Sequence, residues 1–132
     1  MSRREMREQL FKLLFRVEFN SREELPQQEA FFFEDEENVS DQKENMAISE
    51  KFNKIIAKLE GIDQSLNEKV QGWDTGRMVK VDLTILRLAV YEIVFDEEIP
   101  TSVAINEAVE LAKKFGQDSS PAFVNGVLAK FA

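Results

Sequence analysis

"AFVNGVLAK", residues 122–130, decides what kind of fold this chain can adopt. Asn125–Gly126 is the dipeptide that most often closes a two-residue β-hairpin when alternating strands flank it. Neither flank alternates. Phe123, Val127, Leu128 and Phe131 recur at i, i+4, i+5 and i+8, and Ser119–Ser120–Pro121 supplies a helix start with proline in the first turn. The stretch reads as helix. Gly126 inside it costs on the order of 1 kcal/mol relative to alanine, so the close approach of another helix backbone or of a ligand is expected there. Phe123 and Asn125 stand about 200° apart around a helix axis, so one of the two faces solvent or a partner.

Upstream the same period continues, with few glycines and prolines, and the fold class expected is all-α. "TSVAINEAVELAKKFG", from Thr101, has Thr101 or Ser102 as cap, Glu107 and Glu110 early, Lys113 and Lys114 late and Gly116 as its stop, with Glu110 placed to pair with Lys114. "VDLTILRLAVYEIVF", 81–95, is apolar on nearly every side and reads as the central buried helix, relieved only by Thr84, Arg87 and Tyr91. Met46, Ile48, Phe52, Ile55, Ile56 and Leu59 mark a helix capped by Ser40 or Asp41 and ending at Gly61. A further one, capped by Asp63, carries Leu66 and Val70 up to Gly72. Pro26 fits the first turn of a short helix through Phe31–Phe33, and "EDEENVSD" after it reads as a solvated connection. The first segment, 3–19, buries Met6, Leu10, Leu13, Leu14 and Val17 with Phe11 and Phe15 beside them, and keeps Arg3, Arg4, Arg7, Lys12 and Arg16 mostly off that stripe.

With no cysteine and no histidine in 132 residues, zinc sites of the usual kind, thiol nucleophiles, Ser–His dyads and disulfides are excluded. Eleven Phe and a 43% hydrophobic composition suffice for a self-supporting core. No stretch approaches a membrane span, and the charged N-terminus lacks the apolar core of a signal peptide, so a cytoplasmic protein is expected. The net charge of −8 argues against indiscriminate nucleic-acid coating, but its distribution is uneven. Residues 1–22 carry six Arg and Lys against three Glu, and the remainder eleven against twenty-two acids.

Asp82, Glu92 and Glu107 are the carboxylates from which an acid–base pair would be drawn, but nothing in their spacing brings two together, and no enzyme is expected. Arg3, Arg4 and Arg7 are suited to neutralise phosphates, with neighbouring aromatics as stacking platforms for unpaired bases, although Phe11 and Phe15 fit a core better than a platform. Arg87, in an apolar helix, needs a carboxylate such as Glu92 or Glu107. Trp73 reads as a core anchor.

An ordered series of residues resembles the NusB family of bacterial transcription antitermination factors. It runs through Trp73, Arg77, Val81, Asp82, Ile85, Leu86, Arg87, Ala89 and Glu92, then Pro100, "VAINEAVELAKKFG" at 103–116 and "FVNGVL" at 123–128. "RREMREQLFKLLF" extends it to the N-terminus more loosely, with Lys12 where the family usually has Gln and Phe15 where it has Tyr. The resemblance implies one NusB-like RNA-binding domain over 1–132, with about seven helices in two three-helix-type sub-bundles, roughly 1–72 and 73–132. It implies a boxA RNA target in ribosomal RNA leaders and a partner, NusE, which is ribosomal protein S-ten. It also implies entry into the RNA polymerase elongation complex with other Nus factors, and neither catalysis nor cofactor. Arg3, Arg4, Arg7, Lys12, Ser119, Ser120, Phe123 and Asn125 are then the residues expected near RNA, and Asp82 the one expected on the NusE side unless it pairs locally. A homodimer over the RNA-binding face is compatible with the family. Two other readings stand beside this one: a helical protein-interaction module without RNA, and the NusB-like domain of a ribosomal RNA methyltransferase. The opening Met1 and the close just after Lys130 favour a short full-length protein over the latter.

Overall fold

The computed structural model describes residues 1–35, 40–70, 72 and 74–132, and every regular element among them is helical. The chain divides into two compact units, Met1–Ile56 and Ala57–Ala132. Trp73 and residues 36–39 of the acidic connection lie outside the described residues.

In the first unit, α1 (Arg3–Phe15) starts from a reciprocal cap: the Glu5 N–H donates to Ser2 Oγ at 3.1 Å and the Ser2 N–H to Glu5 Oε1 at 3.2 Å. Leu10, Phe11, Leu13 and Leu14 are its buried side, and it tightens into a 3₁₀ turn over Arg16–Phe19. A second box, in which the Ser21 N–H donates to Glu24 Oε1 at 3.0 Å, opens the 3₁₀ turn Arg22–Glu24 that leads into α2 (Leu25–Glu34), with Pro26 in its first turn. Arg16 fastens α2. Its Nη1 donates to the Gln28 carbonyl and to Gln28 Oε1, both at 3.2 Å, and its guanidinium lies 5.4 Å from the centre of the Phe32 ring. Glu29 of α2 accepts from Ser49 Oγ at 2.9 Å and from Asn53 Nδ2 at 3.0 Å, both on α3 (Gln42–Lys69). Asp41 caps α3, accepting from the Glu44 N–H at 2.8 Å.

α3 corrects the sequence reading. It runs 28 residues through Gly61 without stopping, so six α-helices stand among the described residues where about seven were expected. The reason lies in the apolar stripe: Phe52, Ile55, Leu59, Ile62 and Leu66 are all buried and keep one helical phase across the glycine. Burying such side chains is worth about 1.5–3 kcal/mol each, which exceeds the penalty of one exposed glycine. Asp63 caps nothing; its carboxylate is used elsewhere.

In the second unit, α4 (Lys80–Phe95) is buried continuously from Asp82 to Glu92, as expected of a central helix. α5 (Thr101–Phe115) packs against α4 and against α6 (Ser120–Ala129). Ala104, Ala108 and Ala112, four residues apart and all buried, give α5 a small-residue side on which neighbours pack. Neither Thr101 nor Ser102 caps α5: Pro100 stands at that position, and its carbonyl accepts from Val103 and Ala104 at 3.0 and 3.1 Å. Glu110 pairs with Lys113, at 3.3 Å, rather than with Lys114, whose ammonium sits 5.5 Å from the centre of the Phe115 ring.

Candidate nucleic-acid interface

In the first unit, the candidate surface is the start of α1. The capping box fixes the direction in which the helix leaves its N-terminus, and Arg3 and Arg4 are exposed there with Arg7 half-buried one turn on. These three fall within about 100° of the helix circumference. Together they form a cationic group suited to phosphate oxygens. Lys12 is exposed too, but about 140° around the axis from Arg7, so α1 does not gather all four on one side. Arg16, fastened to Gln28 and Phe32, belongs to the packing.

The aromatic residues of α1 grade from core to surface. Phe11 is buried, Phe15 is half-buried with its ring centre 6.3 Å from that of Phe11, and Phe19 is 59% exposed with its ring edge-to-face on Phe15 at 5.1 Å. Phe11 is thus a core residue. Phe19, which the sequence reading passed over, is the most exposed ring of the three. Its signal was present: it lies four residues beyond Phe15 in a run whose other apolar positions already fill the buried side.

In the second unit, the candidate surface is the start of α6. Ser119 is exposed at the cap position, Asn125 is exposed and Phe123 is half-buried. Asn125 is therefore the outward member of the pair whose orientations had to differ. Ser120 is a correction. It is fully buried, its Oγ accepts from the Gln117 N–H at 3.0 Å, and it builds the α5–α6 corner instead of presenting a hydroxyl to RNA. The close approach foreseen at Gly126 occurs at Gly116: a Cβ there would meet Ser120 Cβ and Oγ at 2.6 Å. Gly126 is exposed, with nothing within 4 Å of where its Cβ would be, so no helix backbone packs on it among the described residues.

Arg87 binds Asp63, an acid the sequence reading did not name, through two hydrogen bonds, Nε to Oδ1 at 2.9 Å and Nη2 to Oδ2 at 2.8 Å. This planar pair ties α3 to α4 inside the second unit. Asp82 is a further correction. At 6% exposure in the first turn of α4 it is no surface residue, and its Oδ1 accepts no hydrogen bond among the described residues. The unpaired N–H groups at the helix start favour a carboxylate there. No His/Cys/Asp/Glu group capable of holding a metal occurs among the described residues, and no helix among them is long and apolar enough to cross a membrane.

Three comparisons bear on this geometry. A profile of the NusB family matches residues 4–132. A protein of Agathobacter rectalis named transcription antitermination protein NusB is 54% identical over all 132 residues, covering the whole of both chains, and one of the same name from Lachnoclostridium phytofermentans is 52% identical over 98% of each. Among solved structures, T. maritima NusB superposes with a TM-score of 0.88 at 37% identity, covering 100% of this chain and 91% of that one. A chain in a crystal structure of a plectonemic RNA supercoil, 24% identical, shares the fold with a TM-score of 0.85 over 98% of this chain and 92% of its own.

Proposed function

The chain belongs to the NusB family, and from that premise we propose that it is a cytoplasmic, non-catalytic transcription antitermination factor that binds the boxA element of nascent ribosomal RNA. It acts with NusE, ribosomal protein S-ten, and with other Nus factors on the RNA polymerase elongation complex. The observation that carries this reading is identity of more than half, end to end, with a relative of that name.

The geometry supports it in two places. Arg3, Arg4 and Arg7 supply sequence-independent contacts to phosphate, with Lys12 on another side of the same helix. Ser119, Phe123 and Asn125, at the start of α6, supply the polar and aromatic groups that meet splayed bases of a single strand. For the partner, the buried Asp82 gives way to the turn after α4, where Asp96, Glu97 and Glu98 stand beside exposed Val94, Phe95 and Val103. Acidic groups around apolar side chains complement a basic ribosomal protein.

The deciding experiment is a titration of the chain, alone and with NusE, against boxA RNA and a scrambled control at low and near-physiological salt. Preference for boxA that strengthens with NusE and weakens with salt is expected. Equal binding to the scrambled RNA, with NusE present, overturns the reading in favour of a protein-only interaction module.

A further inference from the structure

An asparagine followed by glycine carries a reaction of its own. The backbone nitrogen of the glycine attacks the asparagine Cγ; a new C–N bond forms, the bond to the side-chain nitrogen breaks, and ammonia leaves with the backbone proton. Water then opens the five-membered imide at one carbonyl or the other, leaving aspartate or isoaspartate. Glycine favours the attack because no Cβ crowds the nitrogen and its backbone turns freely. Asn125 is the chain's one asparagine in this position: Asn20, Asn38, Asn45, Asn53, Asn67 and Asn106 each precede a residue with a side chain.

The folded chain sets Asn125 further apart. Nδ2 of Asn20 donates to the Arg16 carbonyl at 2.8 Å, Nδ2 of Asn53 to the Ser49 carbonyl at 2.9 Å, and Oδ1 of Asn67 accepts from the Thr75 N–H at 2.8 Å. Asn125 is exposed, and no hydrogen bond holds its side-chain amide among the described residues. Gly126 is exposed as well, with no atom within 4 Å of where a Cβ would sit, so no neighbour bars the imide from forming. What bars it is the helix. Within α6 the Gly126 N–H occupies the rung that donates to the Ala122 carbonyl, and the helical backbone turns that nitrogen away from the Asn125 Cγ. The ring closes only when α6 opens there, and glycine makes this the place where the helix gives most readily.

We propose that Asn125 is a site of spontaneous deamidation that α6 keeps shut, so that a chain is marked covalently according to the time its last helix has spent open. The isoaspartate product routes the main chain through the side chain and adds one carbon to it. That carbon falls between Val124 on one side and Val127 and Leu128 on the other, all three buried. The helical phase that seats them together is broken, and refolding does not restore it. The mark thus records opening and then prevents full closure, whatever the chain binds.

The test follows the full chain by peptide mapping and mass spectrometry at mildly alkaline pH, in buffer and in urea beyond the unfolding midpoint. In urea, Asn125 is expected to convert before every other asparagine. In buffer its conversion is expected to slow by at least about 100-fold, set by the opening equilibrium of a helix with a buried side, and to quicken with each sub-denaturing step of urea as that equilibrium shifts. Gly126→Ala, which firms the helix and crowds the nitrogen, is expected to slow conversion in both solvents. The deamidated fraction, collected by ion exchange, is expected to melt at least about 4 °C below Asn125→Asp, which has the same charge on an unaltered main chain. Equal rates in buffer and in urea, or a rate in buffer that ignores sub-denaturing urea, overturn the guarding role of α6. Another asparagine converting first in urea overturns the assignment of the site. Equal Tm for the deamidated fraction and Asn125→Asp overturns the block to closure.

Discussion

Arg87 and Asp63 show how a single charged residue in an apolar helix governs its surroundings. Side-chain exposures of 10% and 24% leave the pair partly shielded, and its two short hydrogen bonds satisfy the groups that face each other. Asp63→Ala removes both hydrogen bonds from the guanidinium's acid partner and is expected to lower stability by about 3 kcal/mol, whereas replacing both residues together by Met and Leu recovers most of that loss; denaturant midpoints of the single and double variants check this. Gly116→Ala is expected to destabilise as well, by about 1–3 kcal/mol, since its Cβ would sit 2.6 Å from Ser120. That a buried arginine needs an acid was legible in the sequence, but that Asp63 would serve was not. Glu92 and Glu107 are near on α4 and α5, while Asp63 reaches Arg87 only because α3 runs on past Gly61. The fate of Ser120 was hidden for a related reason. A serine or aspartate at a helix start looks the same in sequence whether its oxygen faces water or the chain's own N–H groups.

At the scale of elements, both 3₁₀-bounded helices of the first unit rest on capping boxes whose acids are held below the ordinary carboxyl value of 4.5. The chief cause is the backbone N–H of Ser2 for Glu5 and of Ser21 for Glu24. A carboxyl lowered by folding stabilises the folded chain at pH above its unfolded value, and that contribution is lost as pH falls through the folded one. Thermal stability is therefore expected to decline as pH drops below about 4.5, and to decline less steeply in Glu5→Gln and Glu24→Gln, which have no carboxyl to titrate, as melting curves at stepped pH would show. Helix starts were well read from sequence at Asp41, Pro26 and Ser119, where a cap or proline coincides with a change of pattern. They were misread at Gly61 and at Thr101, where a favourable residue type stood inside, or one place past, the true boundary.

At the scale of the whole molecule, the net charge of −8 and the cationic start of α1 make opposite demands on a polyanion. RNA affinity is expected to depend on few phosphate contacts, so Arg7→Ala should weaken binding to all RNA sequences alike and reduce the salt slope by about 1; an unchanged slope removes Arg7 from the interface. Reversing Glu97 and Glu98 to Lys should slow association with NusE at low salt and leave RNA binding alone, which surface plasmon resonance would separate. The all-helical fold and the family were legible because ordered motifs and an unbroken 3.6-residue period span the chain. The division into Met1–Ile56 and Ala57–Ala132 was not, for it falls inside α3 where no residue signals a boundary. A helix of 28 residues contributes its first half to one unit and its second half to the other. Expressing either unit alone severs the continuous run of backbone hydrogen bonds that α3 carries across Ile56 and Ala57. A cut at the unit boundary is therefore a cut through a helix, and each fragment begins or ends in unpaired backbone groups.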